Sequence, residues 1–259
     1  MSVLSQEASR ARGRDRHAPF ARAGLLAGGA LLLALAAAVY GPRPGLAATV
    51  TWTEIGRSLE GRPLRAASFG SGSRHVLYVG GVHGDECGTD VAQAFALWLA
   101  GHPGSIPRGT RIDVIACVDP DGRTHGTPYN ARGVDLNRNF PSSDWRPAPN
   151  LRQRSGRSPG SEPETKAVLA YLGRGYARVV SLHSTGPLMD YDGPGSAPLA
   201  QAMATAAKVP LGHLSYQASI HGSMGRYIPE RYRIPIITWE LTSRTMTANV
   251  LAGLIAGYR

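Results

Sequence analysis

The sequence predicts an α/β fold in which one domain is built on a mostly parallel, mixed and twisted sheet with helices on both faces. Short apolar runs bounded by Gly, Pro and Asp recur along the chain, which is typical of buried strands. Segments with apolar residues at a helical period lie between these runs. Residues 75–82, 90–100 and 111–118 have the patterns of strand, helix and strand. This order indicates two parallel strands joined by a crossover helix.

The remaining predicted elements extend this pattern in both directions. Residues 49–70 predict a short strand, a turn and a second strand. The later elements are helices at 161–172, 196–208 and 247–258, strands at 177–182 and 234–241, and a candidate strand at 212–217. Residues 119–160 predict neither helix nor strand, because Gly, Pro, Asn, Asp and Arg dominate this segment. A loop of this length inside a compact domain is typically functional or disordered.

Residues 1–48 differ in character from the rest of the chain. Five arginines precede an apolar run of 17 residues at 24–40, and small residues follow at Gly45 and Ala47. This order predicts an export signal, which makes the protein periplasmic or secreted. The alternative is an uncleaved anchor in the inner membrane, since 17 apolar residues are at the short end for a membrane span. Residues 49–259 then form the folded domain.

The charge balance narrows the classes of partner. The chain has 28 Lys and Arg against 18 Asp and Glu, a formal net charge of +10. Residues 1–48 hold six Arg and two acidic residues, so the rest carries an excess of six positive charges. This modest excess suits an acidic substrate or a wall polymer. No basic run is interleaved with aromatic residues, so nucleic acid is not an expected partner.

The chain contains two cysteines, Cys87 and Cys117, both near the ends of predicted strands. An oxidising compartment would permit a disulfide between them. Two free cysteines are the alternative, because sequence does not fix the distance between them.

Four polar residues stand at or just beyond the carboxyl ends of predicted strands: His83, Glu86, His183 and Glu240. Those ends share one edge of a parallel sheet, so the four side chains are expected to converge there. Two imidazoles and one carboxylate form a known catalytic zinc set, and a further carboxylate can move a proton from bound water. Taken singly, each residue also has an ordinary structural explanation, such as a glutamate stabilising a helix N-terminus.

Sequence motifs sharpen this prediction. The strings HGDE, GVDLNRNFP, SLHS and TWEL occur in that order, at 83–86, 133–141, 181–184 and 238–241. With them, the chain from about Thr49 onward resembles the zinc carboxypeptidase family. Three further strings are similar to its bacterial branch of murein peptide amidases: SEPET at 161–165, MDYDGP at 189–194 and GSMGRY at 222–227.

The resemblance implies a zinc-dependent hydrolase, with one Zn²⁺ per chain, that cleaves an amide bond next to a carboxylate-bearing residue. The expected bond is γ-D-glutamyl–diaminopimelate in murein peptides. Zinc would be bound by His83, Glu86 and His183, and Glu240 would act as general base and then general acid. These roles belong to the resemblance rather than to the spacing alone.

The resemblance also implies substrate-binding and supporting residues. Asn137 and Arg138 would hold a substrate carboxylate, a role that suits the planar fork of Arg. Asp135 would orient a zinc-bound histidine.

A looser match makes Tyr216 a mobile residue that caps the substrate, with an ordinary strand aromatic as the alternative. Met224 and Arg226 are expected in the specificity wall, where Arg226 would favour an acidic group. The alternative for Arg226 is a plain surface residue.

One position departs from the family pattern. Pro128 stands where the family usually has an Arg that stabilises the oxyanion, and proline has no donor to offer. Loss of one oxyanion donor costs roughly 100- to 1000-fold in rate. Either zinc carries the oxyanion alone, or Arg123 or Arg132 substitutes, or turnover is poor. Asp119 is a smaller departure, since the family has Asn there.

Three alternative functions are also compatible with the sequence. The first is a general zinc carboxypeptidase that acts on other peptides. The second is a deacylase similar to succinylglutamate desuccinylase or aspartoacylase, which shares HGxE and DLNR. The third is a catalytically weak protein that binds wall peptides, for which Pro128 is the support. A membrane is an expected partner only if the N-terminal segment is uncleaved.

Overall fold

The computed structural model describes residues 48–148, 154–214 and 220–259. The strands are β1 (Thr53–Arg57), β2 (Pro63–Gly70), β3 (Arg74–Gly80), β4 (Thr110–Ile115), β5 (Arg178–His183), β6 (Leu188–Asp192) and β7 (Ile236–Glu240). The helices are α1 (Gly88–Gly101), α2 (Pro120–His125), α3 (Pro163–Leu172), α4 (Ser196–Ala207), α5 (Met224–Tyr232) and α6 (Ala248–Tyr258). Two short 3₁₀ turns lie at Pro103–Ser105 and Leu136–Arg138.

The strands form one mixed sheet in the order β1-β2-β4-β3-β5-β7-β6. The four central strands, β4, β3, β5 and β7, run parallel to one another. Antiparallel pairs close both sides, with β1 and β2 at one edge and β6 at the other. The carboxyl ends of the central strands therefore meet at one edge of the sheet, as the sequence predicts.

Apolar clusters cover both faces of the sheet. Alternate residues of β3 enter opposite clusters, with Val76 and Tyr78 on one face and Leu77 and Val79 on the other. This alternation is the pattern of a strand buried on both sides. Helices α1, α4 and α6 pack on the first face, and α3 and α5 on the second. The prediction of an α/β sheet with helices on both faces is confirmed.

The turn between β3 and α1 depends on close backbone packing. A Cβ atom on Gly88 would lie 2.1 Å from the carbonyl oxygen of Leu182. Gly81 has a φ of +61°, a conformation that residues with a side chain rarely adopt. Glycine at these two positions lets α1 start directly above the end of β5, and so brings His83 and Glu86 next to His183.

Three elements were not predicted from sequence: α2, β6 and α5. The expectation that residues 119–160 contain no helix is wrong, because α2 lies within them. The Asp119 side chain accepts from the Gly122 amide at 2.8 Å, and Pro120 occupies the first turn. These are recognised helix-start signals, but six residues are too few to show a helical period.

The candidate strand at 212–217 is not a strand where the structure describes it. Leu211 makes one isolated bridge to Met189, and residues 212–214 have no regular structure. Residues 215–217 lie outside the described ranges, as does the predicted export signal except for Ala48. Both cysteines are free. No helix within the described residues is long and apolar enough to span a membrane.

Candidate metal and substrate site

His83, Glu86 and His183 converge at the carboxyl edge of the sheet. Their ligand atoms all lie within 4.8 Å of one another. The two carboxylate oxygens of Glu86 each face one imidazole, at 2.8 Å from His83 Nδ1 and 3.0 Å from His183 Nδ1. The imidazole rings are 5.0 Å apart between centroids. This arrangement places three ligand groups around one point.

The outer nitrogen of each imidazole is held by another side chain. His83 Nε2 lies 3.1 Å from Asp135 Oδ1, and His183 Nε2 lies 3.0 Å from Ser181 Oγ. Such partners fix the orientation and the tautomer of metal-binding histidines. When each Nε2 donates to its partner, Asp135 or Ser181, the Nδ1 atom of each ring faces Glu86. Ser181 was missed from sequence, although it lies two residues before His183 and thus on the same face of β5.

The electrostatics of the cluster favour a cation. Burial works to lower the pKa of His83, but the charge and hydrogen bond of Asp135, together with Glu86, raise it well above its usual range. Burial works to raise the pKa of Glu86, yet the two histidines lower it overall. The pKa of Asp135 is also lowered by His83, against its burial. Both carboxylates are therefore ionised at neutral pH.

The donor set fits a zinc ion. Two imidazole nitrogens and one carboxylate match the ligand set of catalytic zinc sites that leave one position open for water. The buried partners of both imidazoles complete the pattern expected around such a metal. The residues present therefore suit the metal that the motifs imply.

Glu240 lies beside the cluster of His83, Glu86 and His183, on the strand next to that of His183. It is paired in register with His183, and the amide of Leu241 donates to the His183 carbonyl at 2.7 Å. Its carboxylate is buried and accepts from the Thr185 amide at 2.6 Å. Residues paired in register on parallel strands face the same side of the sheet. Glu240 is thus held next to His183 by the backbone of the sheet.

Asn137 and Arg138 are held on the other side of the cluster by the 3₁₀ turn. The Asp135 carboxylate caps this turn by accepting from the Asn137 amide at 2.9 Å. Asn137 Oδ1 accepts from the Met224 amide at 2.9 Å. The Arg138 guanidinium donates to the Asn137 carbonyl at 2.8 Å and is 3.8 Å from Asp135. A cation is thereby placed beside the predicted metal site.

A pocket of about 150 Å³ opens next to Asn137. It lies between β6, β7 and the start of α5. Ten residues line it: Asn137, Asp144, Asp190, Asp192, Leu214, Ile220, Ser223, Gly225, Arg226 and Thr238. Among these ten, only Asn137 and Arg226 are predicted from the sequence as substrate-binding residues. The three aspartates were missed.

The remaining predicted substrate residues have different positions. The Met224 side chain is 1% exposed and packs in the core, so only its backbone N–H, which holds Asn137, takes part in the site. Arg226 lines the pocket and pairs with Glu230 at 2.5 Å. Tyr216 lies outside the described residues.

The two arginines considered as replacements at Pro128 are both paired with acidic residues outside the candidate metal cluster. Arg123 forms a two-pronged ion pair with Asp90, at 2.7 and 3.2 Å. Arg132 donates to both oxygens of the buried Glu162, at 2.9 and 3.1 Å. Either guanidinium would have to leave its partner to reach a developing oxyanion.

The sequence profile of the family described as zinc carboxypeptidase (peptidase M14) matches residues 46–193. The chain belongs to this family. It is therefore a metallopeptidase by family, and the resemblance inferred from the motifs is confirmed.

Two relatives of this chain support its assignment to the family. Murein peptide amidase A of Escherichia coli strain K12 is 37% identical over 174 residues, which cover 60% of this chain and 67% of the relative. Murein peptide amidase A of Vibrio campbellii is 32% identical over 209 residues, covering 74% of this chain and 79% of the relative.

Solved structures agree with the fold. The murein-tripeptide amidase of Escherichia coli O157 matches with a TM-score of 0.63 at 29% identity, covering 85% of this chain and 95% of that one. Thrombin-activatable fibrinolysis inhibitor matches with a TM-score of 0.66 at 17% identity, covering 88% of this chain and 72% of that one. At that identity the second likeness concerns the fold alone.

Proposed function

We propose that the protein is a zinc-dependent amidase that hydrolyses the γ-D-glutamyl–diaminopimelate bond of murein peptides. The observation that carries this proposal is the convergence of His83, Glu86 and His183 with Glu240 at one edge of the sheet. The similarity to murein peptide amidases of two genera supports the substrate class. The free carboxylates of such peptides suit the cationic Arg138 beside the site.

Each residue has a chemical role in this proposal. His83, Glu86 and His183 hold the zinc, which when bound acidifies a water molecule and polarises the scissile carbonyl. Glu240, as general base and then general acid, would accept a proton from the attacking water and pass it to the leaving amine.

The neighbouring side chains position the reacting groups. Asp135 and Ser181 keep the two imidazoles oriented. Asn137 and Arg138 anchor the substrate carboxylate, which places the scissile bond against the ligand cluster.

We further propose that residues 1–48 direct the protein out of the cytoplasm. The support is their arginine-rich start, apolar run and small residues. Cell fractionation with N-terminal sequencing of the recovered protein tests this. A new N-terminus near residue 48 in the periplasm or medium is expected, whereas an intact N-terminus in the membrane fraction would favour the anchor. Recovery in the cytoplasm would contradict both.

The enzymatic proposal is tested by measuring zinc content and hydrolysis together. The purified chain is incubated with L-Ala-γ-D-Glu-diaminopimelate, and released diaminopimelate is quantified by chromatography. One zinc per chain is expected, with turnover by the unchanged protein and loss of turnover, without loss of zinc, in Glu240→Gln. Glu54→Gln, at an exposed position on β1, is the matched control and should retain activity.

Two results would contradict the proposal in different ways. Absence of stoichiometric zinc would reject the metal site itself. Zinc binding without hydrolysis of the tripeptide would favour the wall-peptide-binding alternative. That alternative keeps one specific observation in its favour, because Pro128 offers no donor and both Arg123 and Arg132 are paired elsewhere.

A further inference from the structure

Arg244 lies in the loop after β7 and reaches back to the turn that carries His83 and Glu86. Its Nη2 donates at 2.7 Å to the Asp85 carbonyl, which belongs to the peptide unit that joins Asp85 to Glu86. Its Nη1 donates to Asp90 Oδ2 at 2.7 Å. The guanidinium therefore connects the loop that follows the predicted proton carrier to the turn that holds the predicted metal ligands.

Asp90 is shared between two arginines. Arg123 donates to both of its carboxylate oxygens, at 2.7 and 3.2 Å, and Arg244 donates to one of them. The hydrogen bond from Arg123, with help from Arg244 and against burial, holds the pKa of Asp90 below its usual range. In the part of the chain that the structure describes, the Asp85 carboxylate pairs with neither arginine. Two positive charges thus face one negative charge, and one positive charge is in excess.

Arg244 is the member of this pair that a ligand can reach. Its side chain is 54% exposed, against 33% for Arg123. A guanidinium has five N–H donors, and the bonds of Arg244 to Asp90 and Asp85 use two of them. The donors that face water can receive an anion, and the two-pronged pair between Arg123 and Asp90 stays intact when they do.

The Arg244 group and the predicted carboxylate anchor approach the ligand cluster from opposite faces of the sheet. Asp90 belongs to α1, which packs on the first face. Asn137 and Arg138 belong to the 3₁₀ turn, whose Leu136 packs in the cluster on the second face. The predicted metal ligands lie at the sheet edge between the two groups. A substrate whose leaving residue is anchored by the 3₁₀ turn would therefore extend its acyl part toward Arg244.

We propose that Arg244 determines specificity for the acyl part of the substrate by binding the free α-carboxylate of a γ-linked glutamyl residue. The inference deepens the proposed function and rests on it, because it concerns the same scissile bond. A γ-linked glutamyl residue is joined to the next residue through its side chain, so its α-carboxylate stays free. That carboxylate is about 5 Å from the scissile carbonyl carbon when the intervening carbons are extended.

The proposal predicts which change in the substrate matters. Amidation of the α-carboxylate, which converts the glutamyl residue to isoglutamine, keeps the shape of the group and removes its charge. The amide oxygen can still accept from Arg244, but the charge-assisted part of the hydrogen bond is lost. Because the guanidinium is more than half exposed, the effect should be smaller than that of a buried charged pair.

Two tripeptides that differ in this one group test the proposal directly. They are L-Ala-γ-D-Glu-diaminopimelate and the same peptide with D-isoglutamine in place of the γ-linked glutamate. The unchanged full-length protein should cleave the first with a kcat/KM roughly 5- to 30-fold higher. Arg244→Gln should bring the ratio close to one, and Arg244→Lys should retain part of the preference. Arg244→Glu should reverse it, because its carboxylate repels the charged peptide.

The ratio does not depend on how much of a variant is folded, because both peptides are measured with the same preparation. Arg57→Gln is the matched control, since Arg57 is another exposed arginine paired with an acid, Glu54, but lies on the edge strand β1. It should preserve the ratio between the two peptides. Equal cleavage of both peptides by the unchanged protein, or an unaltered ratio in Arg244→Gln, would overturn the proposal.

A second pair of peptides separates this inference from the murein proposal. If neither tripeptide is cleaved, the α-linked peptides Ala-Glu-Ala and Ala-Gln-Ala take their place, and the same ratio is measured. A preference for Ala-Glu-Ala that is lost in Arg244→Gln would support the assignment of Arg244 while the murein proposal fails. Equal cleavage of these two peptides would overturn the assignment as well.

Calorimetry decides the case in which no peptide is cleaved. Each γ-linked tripeptide is titrated into zinc-loaded Glu240→Gln, with and without Arg244→Gln. Tighter binding of the peptide with the free α-carboxylate, lost with Arg244→Gln, supports the assignment. Equal binding of both peptides, or binding of neither, overturns it.

Discussion

Substitution of Asp135 tests whether its charge, and not only its shape, supports the metal site. Asp135 Oδ1 lies 3.1 Å from His83 Nε2 and also accepts from the Asn137 amide at 2.9 Å. Asp135→Asn keeps an oxygen acceptor and removes the charge, so zinc affinity should fall about 10-fold. Asp135→Ala removes both contacts and should cost about 100-fold, the upper end for such partners of ligand histidines. These factors correspond to about 1.4 and 2.8 kcal/mol of binding free energy.

The assay is titration of the metal-free protein with zinc against a chromophoric chelator at fixed pH. Ser181→Ala serves as the comparison, because it removes an uncharged partner from the other histidine, His183. A neutral hydrogen bond contributes about 1 kcal/mol, so its effect should be the smaller one. Unchanged zinc affinity in Asp135→Asn, or a larger loss in Ser181→Ala, would refute the reasoning.

Two further substitutions test features outside the ligand set. Burial, with the charges of Glu164 and Asp121, raises the pKa of Asp119 to about 7 against the Gly122 hydrogen bond. The native state therefore keeps this proton longer than the unfolded chain, and Asp119 lowers stability as pH rises from about 4 to 7. As the pH rises from 4 to 8, the unfolding free energy of Asp119→Asn, measured by urea titration, should increase by roughly 1–3 kcal/mol relative to that of the unchanged protein. A difference between the two proteins that stays constant over this pH range would contradict this. Gly88→Ala places a Cβ atom 2.1 Å from the Leu182 carbonyl oxygen and should lose roughly 2–4 kcal/mol, whereas Gly104→Ala meets nothing within 4 Å and should be neutral.

The sequence is most informative where burial is complete. Strands β3, β5 and β7 are apolar runs covered on both faces, and each is located from its composition alone. Strand β6 was missed because it lies at the edge of the sheet and carries two aspartates. Helix α5 was missed because it contains Pro229 and several charged residues, which weaken the helical pattern.

The candidate site also has features that the sequence predicts and features that it does not. The positions of His83, His183 and Glu240 follow from the rule that parallel strands end at one edge, so their convergence could be expected. Sequence alone does not show which aspartates of the MDYDGP string have partners inside the protein. One partner of Asp190 is His213, which lies 23 residues further along the chain in a loop. Such differences arise from tertiary contacts.

The register between β5 and β7 limits how the site can change during evolution. His183 and Glu240 face each other across two hydrogen-bonded strands, and the Leu241 amide ties the ends of both strands together. The separation between a predicted ligand and the predicted proton carrier is therefore a property of the backbone ladder, which no single side-chain exchange alters. The pocket wall, in contrast, includes side chains on β6, at the start of α5 and in the neighbouring loops. Substrate preference can drift through those side chains while the spacing of the reacting groups stays constant.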